Sequence, residues 1–484
     1  MTDLPSQTDG HPHRWRIQAA MLSLLVMAPL DASAVNIIFP VLQQEFHLPM
    51  EHLGRVAWVS VAYLTVIAGL ILPMGRLGDV WGFRRMYLMG GVVFVAASAL
   101  CGLAPGLGWL IGARVVQGVG ACMMMALNPG ITTAIFPAKE RGRAMGIVAM
   151  TVALGSMIGP TVGGLVTQAV GWRGVFFMNL PVGAVGLYLC WRNLPPLTPA
   201  ARARADLTGG LLAVVSLASL LLAVTEGNAW GWTSPSILAL AGLAVITGGC
   251  FALHERRAAE PMLDFSLFRN RVFLGGNLAS LSNYMGQMCA IFLLPVLLER
   301  GLGMSAAHAG LLYAVMPAMI LFIAPVSGAL SDRVGTQRLA VTGQSLILLG
   351  LGAAAAVLWL AGAGRIGRDA VLWCAMPAFA AVGAGAGIFQ SPNNSAVMGA
   401  VPRAQLGIGG GVLAAMRNIG FACGLAVAGA AVGGHAAANA DGRPDLTLFH
   451  SLAVGILAGT AFVFFGLLAS LWRDDHPTAR STSA

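Results

Sequence analysis

Long apolar runs separated by short polar breaks extend over nearly the whole of this chain. A helix needs about 20 predominantly apolar residues to cross a bilayer, and fourteen runs meet this length. They lie at about residues 17–40, 53–74, 86–104, 108–132, 143–168, 174–194, 207–225, 235–254, 272–297, 307–329, 338–361, 370–392, 404–433 and 447–471. Only 10% of the residues are charged, far fewer than in soluble domains. The sequence therefore predicts an all-α membrane protein with 14 transmembrane helices.

The basic residues indicate how these helices are oriented. The loops on one predicted face contain 20 of the 28 basic residues, those on the other contain 6, and Arg114 and Arg417 remain inside the membrane. Because cytoplasmic loops are enriched in Lys and Arg, we expect both termini in the cytoplasm of a multi-pass protein of the bacterial inner membrane. Charge dispersed over loops also argues against nucleic-acid binding. A cleaved signal peptide is an alternative for the first run, but the run continues to Leu42, which favours a retained helix.

A short pattern, G-x-L-x-D-x-x-G, occurs twice, at residues 75–82 and 328–335. The copies follow predicted helices 2 and 10, eight helices apart, whereas two related six-helix halves would place them six apart. We therefore expect two inserted helices. The predicted domains are a six-helix bundle at residues 1–194, a linker with the inserted helices at 195–271, and a second six-helix bundle with a short cytoplasmic tail at 272–484.

Asp31 is the only carboxylate well inside an apolar run. An ionised group at the bilayer centre costs about 2.5–3.5 kcal/mol even on lenient scales, so it should face a wet cavity or a partner. Since a low dielectric favours the neutral form of a carboxyl group, we interpret Asp31 as a proton-binding site, with a structural hydrogen bond as the alternative. Its expected partner is Arg114, which stays charged and either tunes Asp31 or only anchors two helices.

The repeated pattern predicts a charged latch that holds one conformation closed. Glycines permit a tight turn, and Asp79 is placed either to cap a neighbouring helix N-terminus or to pair with Arg84 or Arg85. A plain solvated turn is the alternative. The gating residues predicted are Gly75, Asp79, Gly82, Arg84 and Arg85, with a second copy at Gly328, Asp332 and Gly335.

Helix 5 combines small residues at four-residue spacing with a helix-breaking proline. Small residues let helices approach closely, and proline removes a backbone hydrogen bond. The pattern indicates either close packing alone or a gating role that seals against leakage. Its residues are Gly155, Gly159, Pro160, Gly163 and Gly164.

Polar residues in otherwise apolar segments are candidates for a substrate path. Hydrogen bonding between helices is the alternative for each of them. They are Gln117, Asn283, Gln287, Gln390, Asn394 and Arg417.

These motifs, taken in order along the chain, resemble those of the major facilitator superfamily, and within it the fourteen-helix drug:proton antiporters (DHA2-type) that include bacterial multidrug exporters. The match runs over nearly the whole chain. The resembling segments are residues 30–40 in helix 1, 75–85 after helix 2, 114–120 in helix 4, 159–164 in helix 5, 172–181 and 261–270.

The resemblance implies a major facilitator fold of two six-helix bundles plus two inserted helices. It also implies proton coupling by Asp31 and Arg114, conformational gating by Asp79 and Arg84, and an antiport-linked bend at Gly159 and Pro160. One departure concerns helix 10, where residues 311–329 contain no carboxylate although exporters of dications tend to carry one in the C-terminal half. We therefore expect neutral or monocationic substrates.

The expected function is export of small, largely apolar or monocationic compounds, such as drugs and toxic metabolites, by proton antiport. No P-loop motif is present, which disfavours ATP hydrolysis within this chain. Proton-coupled symport of a nutrient or metabolite is the alternative, and a membrane-embedded enzyme is a weaker one. We expect no cofactor other than the proton gradient and no metal. Expected partners are the substrate, protons and the lipid bilayer, with a periplasmic adaptor and outer-membrane channel left open.

Overall fold

The computed structural model describes residues 10–46, 53–197, 206–258, 261–304, 306–438 and 444–473. Over these ranges the secondary structure is helical, without a strand, and 14 helices are long and apolar enough to cross a membrane. The predicted fold class and helix number are therefore confirmed. The predicted linker falls partly outside the described residues, as do the C-terminal residues after 473.

The helices follow the predicted order. The first six are α1 (Arg14–Leu25, Met27–Ile37 and Phe39–Glu45), α2 (Leu53–Trp81), α3 (Phe83–Gly102), α4 (Leu107–Ile135), α5 (Ala138–Val170) and α6 (Arg173–Phe177 and Asn179–Asn193). The next two are α7 (Leu207–Trp230) and α8 (Pro235–Glu255). The last six are α9 (Arg271–Val296), α10 (Ala306–Tyr313 and Val315–Val334), α11 (Thr336–Gly362), α12 (Arg368–Gly399), α13 (Leu406–Ala438) and α14 (Pro444–Trp472).

Several helix ends differ from the prediction by five residues or more, and those of the first two helices bear on the site. The first helix continues to Glu45, because Pro40 begins a further helical segment instead of ending the span. The second helix continues past its apolar run to Trp81 and stops at Gly82, whose φ of +90° is a conformation that favours glycine. Residues 75–81, expected in a turn, are therefore the last turns of α2.

Prolines interrupt three of the spans. Because proline has no backbone N–H, the carbonyl four residues earlier loses its helical hydrogen bond, and each helix breaks three residues before the proline. The breaks and prolines are Val26 with Pro29 in α1, Met178 with Pro181 in α6, and Ala314 with Pro317 in α10. The first two breaks precede residues of the site described below.

The chain forms two compact units that do not follow the order of the sequence. The first consists of Met1–Pro137, Ile147–Asp264 and Pro402–Ala426. The second consists of Ala138–Gly146, Phe265–Val401 and Val427–Ala484. The beginning of α13 thus belongs with the first unit and the beginning of α5 with the second. The predicted domain boundaries near residues 194 and 271 rest on the repeat and stay a prediction.

Within the first unit, α7 connects α8 to the other helices. The hydroxyl of Ser216 donates to the carbonyl of Ala244 in α8 at 2.9 Å. On α2, the ring of Trp58 stacks on that of Trp230, with centroids 6.3 Å apart. These contacts fix the pair α7 and α8 beside α2.

In the second unit, α9, α11, α12 and α14 surround an apolar core that includes Cys289, Leu351, Phe379 and Ile456. One charged side chain is enclosed at the end of α14. Arg473 is fully buried and donates to Asn393 Oδ1 at 2.7 Å. Asn393 in turn donates to the Gly276 carbonyl at 3.0 Å. This chain of hydrogen bonds joins α14, α12 and α9.

Candidate functional site

Asp31 lies at the centre of a buried polar cluster in the first unit. It is in the second segment of α1, after the break at Val26, and has no exposed surface. Its carboxylate forms an ion pair with the Nη1 group of Arg114. It also accepts from Asn179 Nδ2 at 2.8 Å and from Gln117 Nε2 at 3.2 Å. The expected partnership of Asp31 and Arg114 is therefore present.

Arg114 in α4 is also held by contacts with α2 and with its own helix. Its Nε donates to the Val59 carbonyl in α2 at 3.0 Å, and its Nη1 donates to Gln117 Oε1 at 2.7 Å. The guanidinium lies 4.0 Å from the ring centroid of Tyr63, a cation–π contact. Its Nη2 is buried and has no hydrogen-bond partner among the described residues. Arg114 thus retains an unused donor.

Two residues that the sequence analysis did not select complete the cluster. Ser98 in α3 accepts from Gln117 Nε2 at 2.8 Å and from Asn179 Nδ2 at 3.4 Å. Asn179 begins the second segment of α6, directly after the break at Met178. Both are single small polar residues within apolar helices. The sequence therefore carries no signal that separates them from other single polar residues in apolar helices.

This cluster joins five helices around one carboxylate. Asp31, Arg114, Gln117 and Ser98 are fully buried, and Asn179 is nearly so. Separating a buried ion pair costs several kcal/mol, because each charge would remain without a partner in a low dielectric. A proton on Asp31 would neutralise the carboxylate and remove the ionic part of its contact with Arg114. The arrangement is chemically suited to coupling protonation with helix movement.

Gln117, a candidate for the substrate path, belongs to this cluster. Asn283 and Gln287 of α9 and Gln390 of α12 are also buried, and Asn394 and Arg417 are partly buried. Both polar atoms of the Asn283 amide lack a hydrogen-bond partner among the described residues. For all six candidates, a part in substrate binding stays a prediction.

Asp79 caps a helix in the first unit. Its carboxylate accepts from the backbone N–H of Gly407 at 2.7 Å and of Ile408 at 2.9 Å, at the beginning of α13. Gly75 permits this approach, because a Cβ there would collide with the Gly407 carbonyl. Of the two partners expected for Asp79, the helix N-terminus is the one that the structure contains. Its role in gating stays a prediction.

Arg84 and Arg85 lie beyond Gly82, at the beginning of α3. The Nη2 group of Arg84 donates to the backbone carbonyl of Trp191 in α6 at 2.7 Å. The side chain of Arg85 is exposed. These two arginines therefore line a different surface from the Asp79 cap.

The second copy of the pattern repeats the capping geometry inside the second unit. Asp332 accepts from the backbone N–H of Gly142 at 3.0 Å and of Arg143 at 3.2 Å, near the beginning of α5. Gly328 lies against the backbone of Gly142, where a Cβ would collide. Gly335 follows with a φ of +98°. The two copies thus share one structural task, which is to hold the beginning of another helix.

The glycines of α5 form a surface on which the Asp31 segment of α1 lies. A Cβ on Gly155, Gly159 or Gly163 would come within 3.0 Å of residues 26–34 of α1. The hydroxyl of Ser33 also donates toward the Gly155 carbonyl at 3.5 Å. Gly164 has open space beside it, and Pro160 lies inside the helix. Close packing is therefore present, and an additional role in antiport stays a prediction.

No cluster of His, Cys, Asp or Glu side chains suited to a metal ion occurs in the described part of the chain.

A family model described as Major Facilitator Superfamily matches residues 21–206 and 276–484. The matched segments omit residues 207–275, which contain α7, α8 and the following connector. The match extends over more than half of the chain and includes every residue of the Asp31 cluster.

Curated relatives resemble the chain over most of its length. It is 34% identical to the riboflavin transporter RibZ of Clostridioides difficile (strain 630), over 85% of this chain and 87% of that protein. It is 32% identical to the methylenomycin A resistance protein of Streptomyces coelicolor, over 94% of this chain and 91% of that protein. It is 31% identical to the multidrug resistance protein Stp of Mycobacterium tuberculosis (strain CDC 1551 / Oshkosh), over 89% of this chain and 79% of that protein.

Solved structures share the fold at low sequence identity. The human organic anion transporter MFSD10 superposes with a TM-score of 0.64 at 15% identity, over 96% of this chain and all of that one. The proton:xylose symporter XylE superposes with a TM-score of 0.66 at 13% identity, over 95% of this chain and 94% of that one. Both comparisons bear on the fold alone.

Proposed function

Because the chain belongs to the Major Facilitator Superfamily and is a membrane transporter, not an enzyme, we propose that it exports small, largely apolar or monocationic compounds by proton antiport. The relatives named for methylenomycin resistance and multidrug resistance support drug efflux. The absence of a carboxylate from residues 311–329 of α10 supports neutral or monocationic substrates.

The ion pair between Asp31 and Arg114 is the observation that carries this proposal. Three carboxylates are buried among the described residues, Asp31, Asp79 and Glu255, and of these only Asp31 lies far from a helix end. A proton bound to Asp31 would release Arg114 to its other acceptors, the Val59 carbonyl and the Gln117 amide. We assign the coupling proton to Asp31 and the tuning of its charge to Arg114.

In the proposed cycle, proton binding favours one conformation and substrate binding favours the other. Two ligands that prefer opposite states weaken each other's binding reciprocally, so a proton entering from outside expels the substrate. The caps made by Asp79 and Asp332 would stabilise the conformation described here until that exchange occurs. Alternating access of this kind needs no cofactor besides the proton gradient.

The test of this proposal is substrate-induced proton release in everted membrane vesicles. Asp31→Asn removes the titratable proton but keeps the size of the side chain, so we expect the release signal to disappear at an unchanged expression level. Glu255→Gln is the matched control, because it also removes a buried carboxylate, at the end of α8. Full proton release in the Asp31→Asn variant would refute the coupling role.

A second candidate is proton-coupled symport of a metabolite. The identity of 34% to a riboflavin transporter favours this candidate, with a heteroaromatic vitamin as substrate. Uptake of labelled riboflavin into right-side-out vesicles that rises with an inward proton gradient would support symport. Accumulation in everted vesicles would support export.

We further propose a bacterial inner-membrane location with both termini in the cytoplasm, on the basis of the uneven distribution of arginines. The proposed partners are the substrate, protons and the lipid bilayer, without nucleic acid. Co-purification after cross-linking would identify a periplasmic adaptor or outer-membrane channel.

A further inference from the structure

A cavity of about 450 Å³ lies in the first unit, apart from the Asp31 cluster. It is formed by the end of α2, the beginning of α3, the end of α6 and the residues that follow α6. The residues that matter for its chemistry are Trp81, Arg84, Arg85, Leu88, Trp191 and Leu197.

The cavity is at the level where a membrane meets water. Trp81 is the last residue of one apolar span, Arg84 is at the beginning of the next, and Trp191 is near the end of the sixth. The tryptophan side chains are 49% and 62% exposed, respectively. Tryptophan is enriched at lipid headgroup level, because its ring is apolar while its N–H needs a polar partner.

The charge of the cavity favours an anion. Of the described residues that line it, two are arginines and none is a carboxylate. Arg84 is oriented by its hydrogen bond to the Trp191 carbonyl, and its Nε is buried without a hydrogen-bond partner among the described residues. Guanidinium groups bind phosphate through paired hydrogen bonds. A phosphate group would satisfy the unused donor.

An apolar surface continues from the cavity along the outside of the helices. Leu88 in its wall is followed one turn later on α3 by exposed Val92, and Tyr188 and Val185 are exposed on α6. The two helices pack closely below it, since a Cβ on Gly91 would lie 2.8 Å from the Leu187 side chain. This surface is apolar and exposed, as contact with an acyl chain requires.

We propose that this cavity binds the headgroup of an anionic phospholipid. Arg84 and Arg85 contact the phosphate, the two tryptophans flank the glycerol region, and an acyl chain lies along the surface that includes Val92 and Val185. A lipid is favoured over free phosphate because the charged cavity and the apolar surface are continuous.

Native mass spectrometry of the full-length protein in detergent tests this assignment. The probes are phosphatidylglycerol, phosphatidylcholine with the same acyl chains, and inorganic phosphate. We expect tight binding of phosphatidylglycerol alone. Since one basic residue contributes about fivefold to the attraction of anionic lipid, Arg85→Gln should weaken that binding about fivefold, and the double variant with Arg84→Gln about 25-fold.

Arg192→Gln is the matched control. Arg192 is exposed at the same end of α6 and donates to the Tyr188 hydroxyl at 3.1 Å, but it does not line the cavity. Its loss should change binding less than twofold. If the Arg192 and Arg85 variants lost phosphatidylglycerol binding equally, the effect would come from general surface charge, and the proposed site would be wrong. Equal binding of phosphatidylcholine, or full competition by inorganic phosphate at the lipid's concentration, would also overturn it. Because Arg85 is exposed, the single variant tests the site even if the Arg84 variant folds poorly.

Discussion

At the scale of single residues, the feature that matters most is how many donors converge on Asp31. Arg114, Gln117 and Asn179 all donate to its carboxylate, from two helices other than its own. Hydrogen bonds to a charged group contribute about 1.5–3 kcal/mol each, roughly twice those between neutral groups. The carboxylate of Asp31 is therefore held in place by neutral amides as well as by Arg114.

Asn179→Ala should slow substrate-induced proton release about tenfold. The variant removes the 2.8 Å hydrogen bond to Asp31, and a loss of about 1.4 kcal/mol corresponds to a factor of ten. Vesicle fluorescence measures the rate. Asn193→Ala is the control, because Asn193 is on the same helix segment and donates only to the Leu189 carbonyl one turn earlier. Equal rates in the two variants would exclude Asn179 from the coupling cluster.

The sequence was sufficient to pair Asp31 with Arg114, because charges are rare in apolar helices and each needs a partner. It was not sufficient to identify Ser98 and Asn179. Single serines and asparagines are common in transmembrane helices, where they bond to neighbouring backbone groups. Only the approach of α3 and α6 to α1 distinguishes these two from the others.

At the scale of helices, the two aspartate caps connect sequence pattern with packing. Asp79 and Asp332 each accept two backbone N–H groups from the first turns of another helix. A helix N-terminus carries a partial positive charge and unpaired N–H groups, so a carboxylate there stabilises it. Each cap therefore holds two helix ends together through one side chain.

Asp79→Ala should loosen the beginning of α13. Loss of a cap costs about 0.5–2 kcal/mol. A loss of about 1 kcal/mol would raise about fivefold the fraction of molecules in which the beginning of α13 is open. In an Ile408→Cys background, the rate of labelling by a water-soluble maleimide measures this opening, since Ile408 is fully buried.

Asp206→Ala is the control for that experiment. Asp206 also caps a helix, accepting from the Gly209 N–H of α7 at 2.9 Å, and the other hydrogen bond of its side chain among the described residues is with His254 of α8. Its loss should leave the labelling rate at residue 408 unchanged. If Asp79→Ala labels no faster than this control, the cap does not keep α13 closed.

Helix number and order could be predicted from hydropathy, because each span needs about 20 apolar residues regardless of its neighbours. Helix ends could not. The last turns of α2 contain Gly75, Arg76 and Asp79, which interrupt the apolar run but remain helical because Asp79 bonds to α13. The polar end of a helix was mistaken for a turn because its partner is about 330 residues further along the chain.

At the scale of the whole molecule, the placement of the arginines predicts the orientation in the membrane. Arg333 lies in the last turn of α10, and the turn between α11 and α12 contains Arg365. Both side chains are exposed. They are separated by one membrane crossing and so must lie on opposite sides.

Arg365→Cys should react with a membrane-impermeant maleimide in intact cells, whereas Arg333→Cys should react only after the cells are permeabilised. The two variants are matched in the residue replaced and in exposure. Gel-shift labelling in a background without the seven native cysteines measures the difference. The opposite pattern would place both termini outside the cytoplasm and contradict the orientation inferred from charge.

The composition of the first compact unit also affects how the protein is made. That unit includes Pro402–Ala426, which the ribosome synthesises after most of the chain. During translation, Asp79 therefore has no helix to cap, and the surface of α2 at Ala68 lacks its neighbour Ala422. A chain that ends before Pro402 would leave the Asp79 carboxylate without its two backbone donors, so the first unit can close only after nearly the whole chain has been made.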